Sequence, residues 1–262
     1  MKLLEGKNAV VFGVANKRSI AWGITQAFHE QGANVGVSYA GEALKKRAVP
    51  LAESLGIEFI EACDVTSDEQ IEAVAKKAKT HFGAIDILVH SIAFAGMDQL
   101  TGPYYDTTRE GFHTAMDISV FSFVALGKAF QPMLREGGSI MTMTYYASEK
   151  VFPNYNVMGV AKAALESSMR FLARDFGQQG VRVNAISPGP IRTLAAAGVS
   201  GFKTLYKLFS DHAPLQNEIT IEDVGNTAVF LASDLSSKTT GQVIFVDSGY
   251  NIMGLTMKTG DD

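Results

Sequence analysis

The feature that most constrains this chain is a regular alternation of short β-rich runs with longer stretches of helical periodicity. Asn8 to Phe12, Asn34 to Tyr39, Glu58 to Cys63, Ile85 to His90, Ser139 to Thr144, Val181 to Ile186 and Gln242 to Val246 read as strands. Helical patterns occupy Ser19 to Gln31, Asp68 to His81, Phe112 to Leu134, Asn154 to Phe176 and Ile221 to Leu231. Strands and helices in this order need right-handed crossovers, and these build a parallel sheet with helices on both faces. The expected fold is a Rossmann-like, doubly wound α/β sheet of about seven strands, whose ligands bind beyond the carboxyl ends of the strands. No repeat, linker or low-complexity tract interrupts the alternation. The 262 residues therefore read as a single domain, 1–262.

Composition narrows the class of function. The chain is 47% hydrophobic and 19% charged with 25 glycines, which excludes a disordered or fibrous protein and suits many tight turns. A formal charge of -4 gives no electrostatic reason to expect nucleic acid or an anionic membrane as a partner. Cys63 is the only cysteine, so no intrachain disulfide forms and a reducing, cytoplasmic compartment is expected. The apolar start before Glu5 is too short for a signal peptide, and no run approaches the ~20 apolar residues of a membrane span.

The first strand runs into GVANKRSIAWG, Gly13 to Gly23. A strand, a glycine turn and a helix start are the context of a dinucleotide site, where free amides and the helix dipole hold a pyrophosphate. The usual GxGxxG spacing is absent. Ser19 is placed either to cap the helix or to donate to a phosphate. Three further segments end strands at the same edge: Cys63 to Val65, whose Asp64 either accepts from an adenine amino group or caps a helix; His90 to Gly96, with small residues where a nicotinamide ribose needs close approach; and Ser187 to Thr193, a rigid turn. After the second strand, Ala40 occupies the turn where an acidic residue usually binds the adenosine ribose. Glu42 follows two residues later, so this position leaves NAD and NADP both open. Lys45, Lys46 and Arg47 read as a solvated helix face.

The stretch MTMTYYASEKVFPNYNVMGVAK, Met141 to Lys162, holds two tyrosine and lysine pairs. Tyr146 and Lys150 stand four apart and match the YxxxK signature of many nicotinamide oxidoreductases. Tyr155 and Lys162 stand seven apart, about two helical turns or ~10.5 Å along one face. Pro153 disfavours helix at Phe152, so the helix is expected to begin near Asn154. That leaves Tyr146 and Lys150 in the connection and puts Tyr155 and Lys162 in the first and third turns. The five histidines lack ligand spacing, so no metal is expected.

Taken together, GVANKRSIAWG, HSIAFAG, Tyr145 followed by YNVMGVAK, and RVNAISPGPIRTLAAAG resemble the enoyl-acyl-carrier-protein reductases of bacterial type II fatty-acid synthesis, divergent short-chain dehydrogenases. The similarity runs from Gly6 to about Gly254. It implies reduction of a trans-2-enoyl thioester by NADH, with NADPH not excluded, and a homotetramer. It implies that Tyr155 faces the substrate, that Lys162 holds the nicotinamide ribose, and that Tyr145 assists at the thioester carbonyl. Cofactor contacts are implied for Gly13, Ser19, Ile20, Ala40, Asp64, Val65, Ile92 and the run Ile191, Arg192, Thr193, Leu194 and Ala195; Ala95 would touch the acyl group. Tyr146 beside Tyr145 departs from the family pattern, where a smaller or aliphatic neighbour is usual. Residues 194–212 read as an amphipathic core helix from their own spacing and as a substrate lid from the resemblance. Lys203 and Lys207, one turn apart there, either meet an acidic carrier protein or form a solvated face.

Overall fold

The computed structural model describes residues 2–193 and 202–254, with the side chains of Phe202 and Lys203 outside that description. The elements follow in the order β1 (Asn8–Phe12), α1 (Ile20–Glu30), β2 (Asn34–Tyr39), α2 (Gly41–Ser54), β3 (Ile60–Ala62), α3 (Asp68–Phe82), β4 (Ile85–His90) and α4 (Arg109–Met116). A π-helical turn at Asp117–Phe121 leads to α5 (Ser122–Phe130), β5 (Leu134–Met143), α6 (Asn156–Gly177), β6 (Arg182–Pro188), α7 (Phe202–His212), α8 (Ile221–Ala232) and β7 (Val243–Val246).

Among the described residues the strands form one sheet of order β3-β2-β1-β4-β5-β6-β7, parallel throughout. The expected doubly wound sheet is therefore present. Chain order reverses between β1 and β4, which opens the crevice where such sheets bind ligands. Side chains alternate between two cores. Val11, Val37 and Ile186 face α1 and α8, while Phe12, Ile140 and Ala185 face α3, α5 and α6. Trp22 is buried packing within the first core, and Cys63 lies in the second. Burial pushes the Cys63 thiol up to about 11, which keeps it inert.

Several boundaries differ from expectation; β5 starts at Leu134 rather than Ser139 and β6 runs to Pro188 rather than Ile186. β3 is three residues long, because Glu58 and Phe59 enter without a full ladder. The helix expected over Phe112 to Leu134 starts earlier, at Arg109, because the Thr108 hydroxyl accepts from the Gly111 amide and caps it. It also ends earlier, at Phe130: Pro132 lies in a single 3-10 turn and Leu134 already belongs to β5. α6 begins at Asn156 rather than Asn154, since Asn154 adopts φ +63° and reverses the chain after Pro153. The basic run Lys45 to Arg47 is exposed on α2, as the sequence suggests. Among the described residues no helix is long and apolar enough to cross a membrane.

Candidate active site

The carboxyl edge at the β1/β4 crevice is built by two close approaches. Gly13 has φ +104°, and a Cβ there would stand 2.1 Å from the Ser91 carbonyl. Only glycine lets the first loop lie against the loop that follows β4. The Gly13 and Val14 amides donate to the Ser38 carbonyl at 3.0 and 3.1 Å, which ties the loop to β2 as well.

Ser19 occupies the cap position of α1 but does not cap it. Its hydroxyl donates to the Asn16 carbonyl at 2.7 Å and accepts from the Ala15 amide at 3.4 Å, folding the loop onto itself. Ile20 opens the helix, and no acidic residue stands in the first turn. By contrast α3 is capped by Ser67 with Asp68 and Glu69 following, and α8 by a capping box of Thr220 and Asp223. The first turn of α1 is thus left electropositive and fits an anion.

Asp64 is exposed, and its Oδ1 accepts from both the amide and the hydroxyl of Thr66 at 3.0 and 2.8 Å. This is a turn role rather than the helix cap, which falls to Ser67. Val65 is buried in the core. Ala40 precedes α2 in extended conformation without a side-chain cap. Glu42 is exposed and paired with Lys45 at 3.2 Å.

The loop after β4 carries Ile92 and Ala95, both half-buried against the second core. It is clamped from the π turn. The Phe94 amide donates to Ser119 Oγ at 3.1 Å, and that hydroxyl lies 3.3 Å from the Phe94 carbonyl. His90, at the end of β4, is buried between Thr142 Oγ1 and Ser122 Oγ, each at 2.8 Å. Ser122 donates its own proton to the Ile118 carbonyl at 2.7 Å, so it accepts from His90 Nε2–H, and Nδ1 accepts from Thr142. Burial pushes His90 down to about 3, with the Lys162 charge adding to the effect, so the ring is neutral.

The two tyrosine pairs separate clearly. The Tyr146 hydroxyl donates to the Asn251 carbonyl at 3.0 Å, and its ring packs edge-on against Phe152, Phe245 and Tyr250. Lys150 is exposed. Tyr146–Ser148 form a 3-10 turn, so the YxxxK match lacks a helix, as expected from Pro153. Gly159 lets that turn lie on α6, since a Cβ there would be 2.9 Å from the Ala147 carbonyl.

Tyr145 and Tyr155 are brought together, ring centroids 4.9 Å apart, with Phe152 behind Tyr145 at 5.1 Å. Tyr155 stands at the cap of α6 rather than in its first turn. Lys162 is then the seventh helical residue, in the second turn rather than the third. Lys162 is 4% exposed, and its Nζ donates to the Met143 carbonyl at 2.8 Å. Burial pushes both phenols above their ordinary value and pushes Lys162 down to about 8, Glu166 opposing the fall.

The run after β6 is only partly in the description. Ile191 is buried in the first core. Arg192 lies over the Tyr206 ring at 4.4 Å and bonds Glu218 at 3.0 Å, so its guanidinium turns to α7 and the segment before α8. The Thr193 amide donates to the Ile191 carbonyl at 2.7 Å. Leu194 and Ala195 fall outside the described residues, as does the first part of the expected lid. α7 has the expected amphipathic character: Tyr206 and Phe209 are buried while Leu208 and Lys207 are exposed. A Cβ on Gly189 would stand 2.3 Å from the Phe209 ring, so glycine is what lets α7 approach. Sequence reasoning missed Glu166, Thr144, Ser119 and the bonding of His90. The one available signal for Glu166 was its spacing of four from Lys162 on the same helix.

The family described as enoyl-(acyl carrier protein) reductase matches residues 13–251. The NADH-dependent enoyl-acyl-carrier-protein reductase 1 of Rhizobium meliloti (strain 1021) is 53% identical over 253 residues, covering 97% of this chain and 93% of that protein. The crystal structure of the Bacillus cereus enoyl-acyl carrier protein reductase with NADP+ and indole naphthyridinone superposes with a TM-score of 0.95 at 50% identity, covering 97% of this chain and 100% of that one. The reductase of Anaplasma phagocytophilum in complex with NAD gives 0.94 at 46% identity, with 97% of each chain covered.

Proposed function

This chain belongs to the enoyl-(acyl carrier protein) reductase family, and we propose that it reduces the carbon–carbon double bond of a trans-2-enoyl group carried on acyl carrier protein, using NADH. The observation that carries this reading is the pairing of Tyr145 with Tyr155 at the sheet's carboxyl edge, with buried Lys162 two turns along the same helix. NADH supplies a hydride to the β-carbon of the enoyl thioester. The residues present fit that cofactor. The first turn of α1 suits the pyrophosphate. Lys162 has three donors, one used by Met143, and the others suit ribose hydroxyls.

As the β-carbon accepts hydride, negative charge grows on the thioester oxygen. Tyr155, held protonated by its burial, donates a hydrogen bond to that oxygen and stabilises the enolate-like transition state. Tyr145 packs against Tyr155 and fixes the carbonyl's approach. Lys162 orients the nicotinamide ribose and adds a positive field. Gly13, Ser19, Ile20, Ala40, Asp64, Val65, Ile92 and residues 191–195 line the cofactor, and Ala95 meets the acyl group.

The segment 194–212 is the lid over the acyl chain in this reading; its described part, α7, packs through Phe209 on Gly189. Docking of an acidic carrier protein rests on the spacing of Lys203 and Lys207, of which Lys207 is exposed on α7; charge reversal at both that left carrier-protein turnover unchanged would remove this docking. Assembly as a homotetramer is part of this reading, and the exposed Phe121 and Phe171 are apolar side chains that an interface between copies would cover. The compartment is cytoplasmic, in keeping with a single buried thiol.

The test is loss of nicotinamide absorbance with an enoyl thioester against a 3-oxoacyl thioester, each with NADH and NADPH. Turnover of the enoyl substrate with NADH is expected. Turnover of the oxo substrate alone would favour chemistry at Tyr146 and Lys150 instead.

A further inference from the structure

The inner face of α6 carries a second buried ionisable group that the reaction above does not use. Glu166 lies one turn beyond Lys162 and is 6% exposed. Thr144 donates its hydroxyl to Glu166 Oε1 at 2.6 Å, and Lys162 Nζ donates to the carbonyl of Met143, the preceding residue, at 2.8 Å. Both side chains are therefore tied to adjacent residues of one segment, which runs directly into Tyr145.

Ser187 stands one strand over on the same face. β5 pairs Met143 with Ile186, and the Thr144 amide donates to the Ile186 carbonyl at 2.8 Å, so Ser187 follows beside Thr144. Its hydroxyl is buried and has no hydrogen-bond partner among the described residues. The space behind Lys162 is polar, and a carboxylate is fixed in it.

We propose that Glu166, held by Thr144, is a positioning residue for the reduction: from one helical turn away its charge keeps Lys162 an ammonium, where the Met143 carbonyl holds it. It acts through Lys162 without touching substrate or cofactor. The inference rests on the role given to Lys162 above.

The physical basis is the cost of burying a cation, which an opposite charge nearby offsets. Burial drives Lys162 down, and Glu166 drives it back up. Buried Asp247, after β7, is bonded to the Gly249 and Asn251 amides, and the three titratable groups that stand with Lys162 in the site bring no charge at neutral pH. His90 on β4 is held neutral by burial. Tyr145 after β5 and Tyr155 at the start of α6 are phenols that burial keeps protonated.

The test is kcat/KM for an enoyl thioester from pH 6 to 10 in the wild type and in Glu166→Gln, with KM for NADH measured alongside. The alkaline limb, where Lys162 loses its proton, should move down by about one pH unit in E166Q. KM for NADH should rise several-fold at pH 8 and return to the wild-type value at pH 6, where Lys162 is charged in both proteins. A uniform loss at every pH with the limb in place would mean a structural role and overturns the proposal. Should E166Q fail to fold, Thr144→Val with Glu166→Leu replaces both bonded partners by apolar groups of similar shape. That double variant should show the same displaced limb, and an unmoved limb overturns the proposal. Lys162→Met separates the two readings. Normal turnover in K162M removes the role of Lys162 itself, whereas a dead K162M beside an E166Q limb that has not moved removes only the role of Glu166.

Discussion

Tyr146 and Tyr155 are the same side chain nine residues apart, and what their hydroxyls and rings meet gives them different work. Tyr155→Phe removes the donor to the developing charge, and kcat for the enoyl thioester should fall by about 10²–10³. Tyr146→Phe removes a bond to the Asn251 carbonyl. Unfolding should become easier by about 1 kcal/mol, with kcat close to wild type. Urea titration and steady-state rates on both variants check the ranking, and the reverse order would restore YxxxK as the site. His90 makes a separate prediction. It is neutral when folded and titrates near its ordinary 6.5 when unfolded, so the unfolded chain binds the extra proton as pH falls from about 6.5 toward 3. Stability from this group is present above pH 6.5 and is lost on acidification, by up to about 1.4 kcal/mol per pH unit. His90→Gln should be less stable than wild type at pH 7.5, and the gap should narrow by pH 5 in denaturant midpoints.

At the scale of elements, α6 does the most positioning, and glycine makes its placement work. Gly159→Ala would put a Cβ 2.9 Å from the Ala147 carbonyl and push the 3-10 turn at Tyr146–Ser148 outward. Tyr145 precedes that turn, so its contact with Tyr155 should loosen. A drop in kcat larger than the loss of stability, about 1–3 kcal/mol for an overpacked site, is the expected result, read from rates beside thermal midpoints. The π turn at Asp117–Phe121 is the second device, a local widening of the helix of the kind found at functional sites. It aims Ser119 at the Phe94 backbone. Ser119→Ala should free the loop bearing Ile92 and Ala95 and raise KM for the enoyl thioester several-fold. An unchanged KM would show that the core holds this loop without the clamp.

At the scale of the whole molecule, the proposed cofactor contacts span the ends of β1, β4, β5 and β6, so binding should stabilise the fold as a unit. NADH at a hundred times its Kd should add about 2.7 kcal/mol to unfolding. Lys162→Met should lose most of that gain while melting near wild type without cofactor. Strand number, sheet type and the edge that carries the site were legible in the sequence, because β-rich runs and helical periodicity are local properties of the chain. So was the place of Tyr146 and Lys150 in the connection before α6, since a proline restricts its own neighbour. The start of α6 was off by two residues, because nothing local announces that Asn154 turns left-handed. Helix α2 was legible only as a basic face, and the π turn was not legible. Tertiary contact alone decided two things: that Arg192 turns to Tyr206 and Glu218, and that Glu166 meets Thr144 behind Lys162. Each depends on which residues distant in sequence are packed side by side. Periodicity encodes the face a residue takes, but its hydrogen-bond partner is chosen only when strands and helices stack.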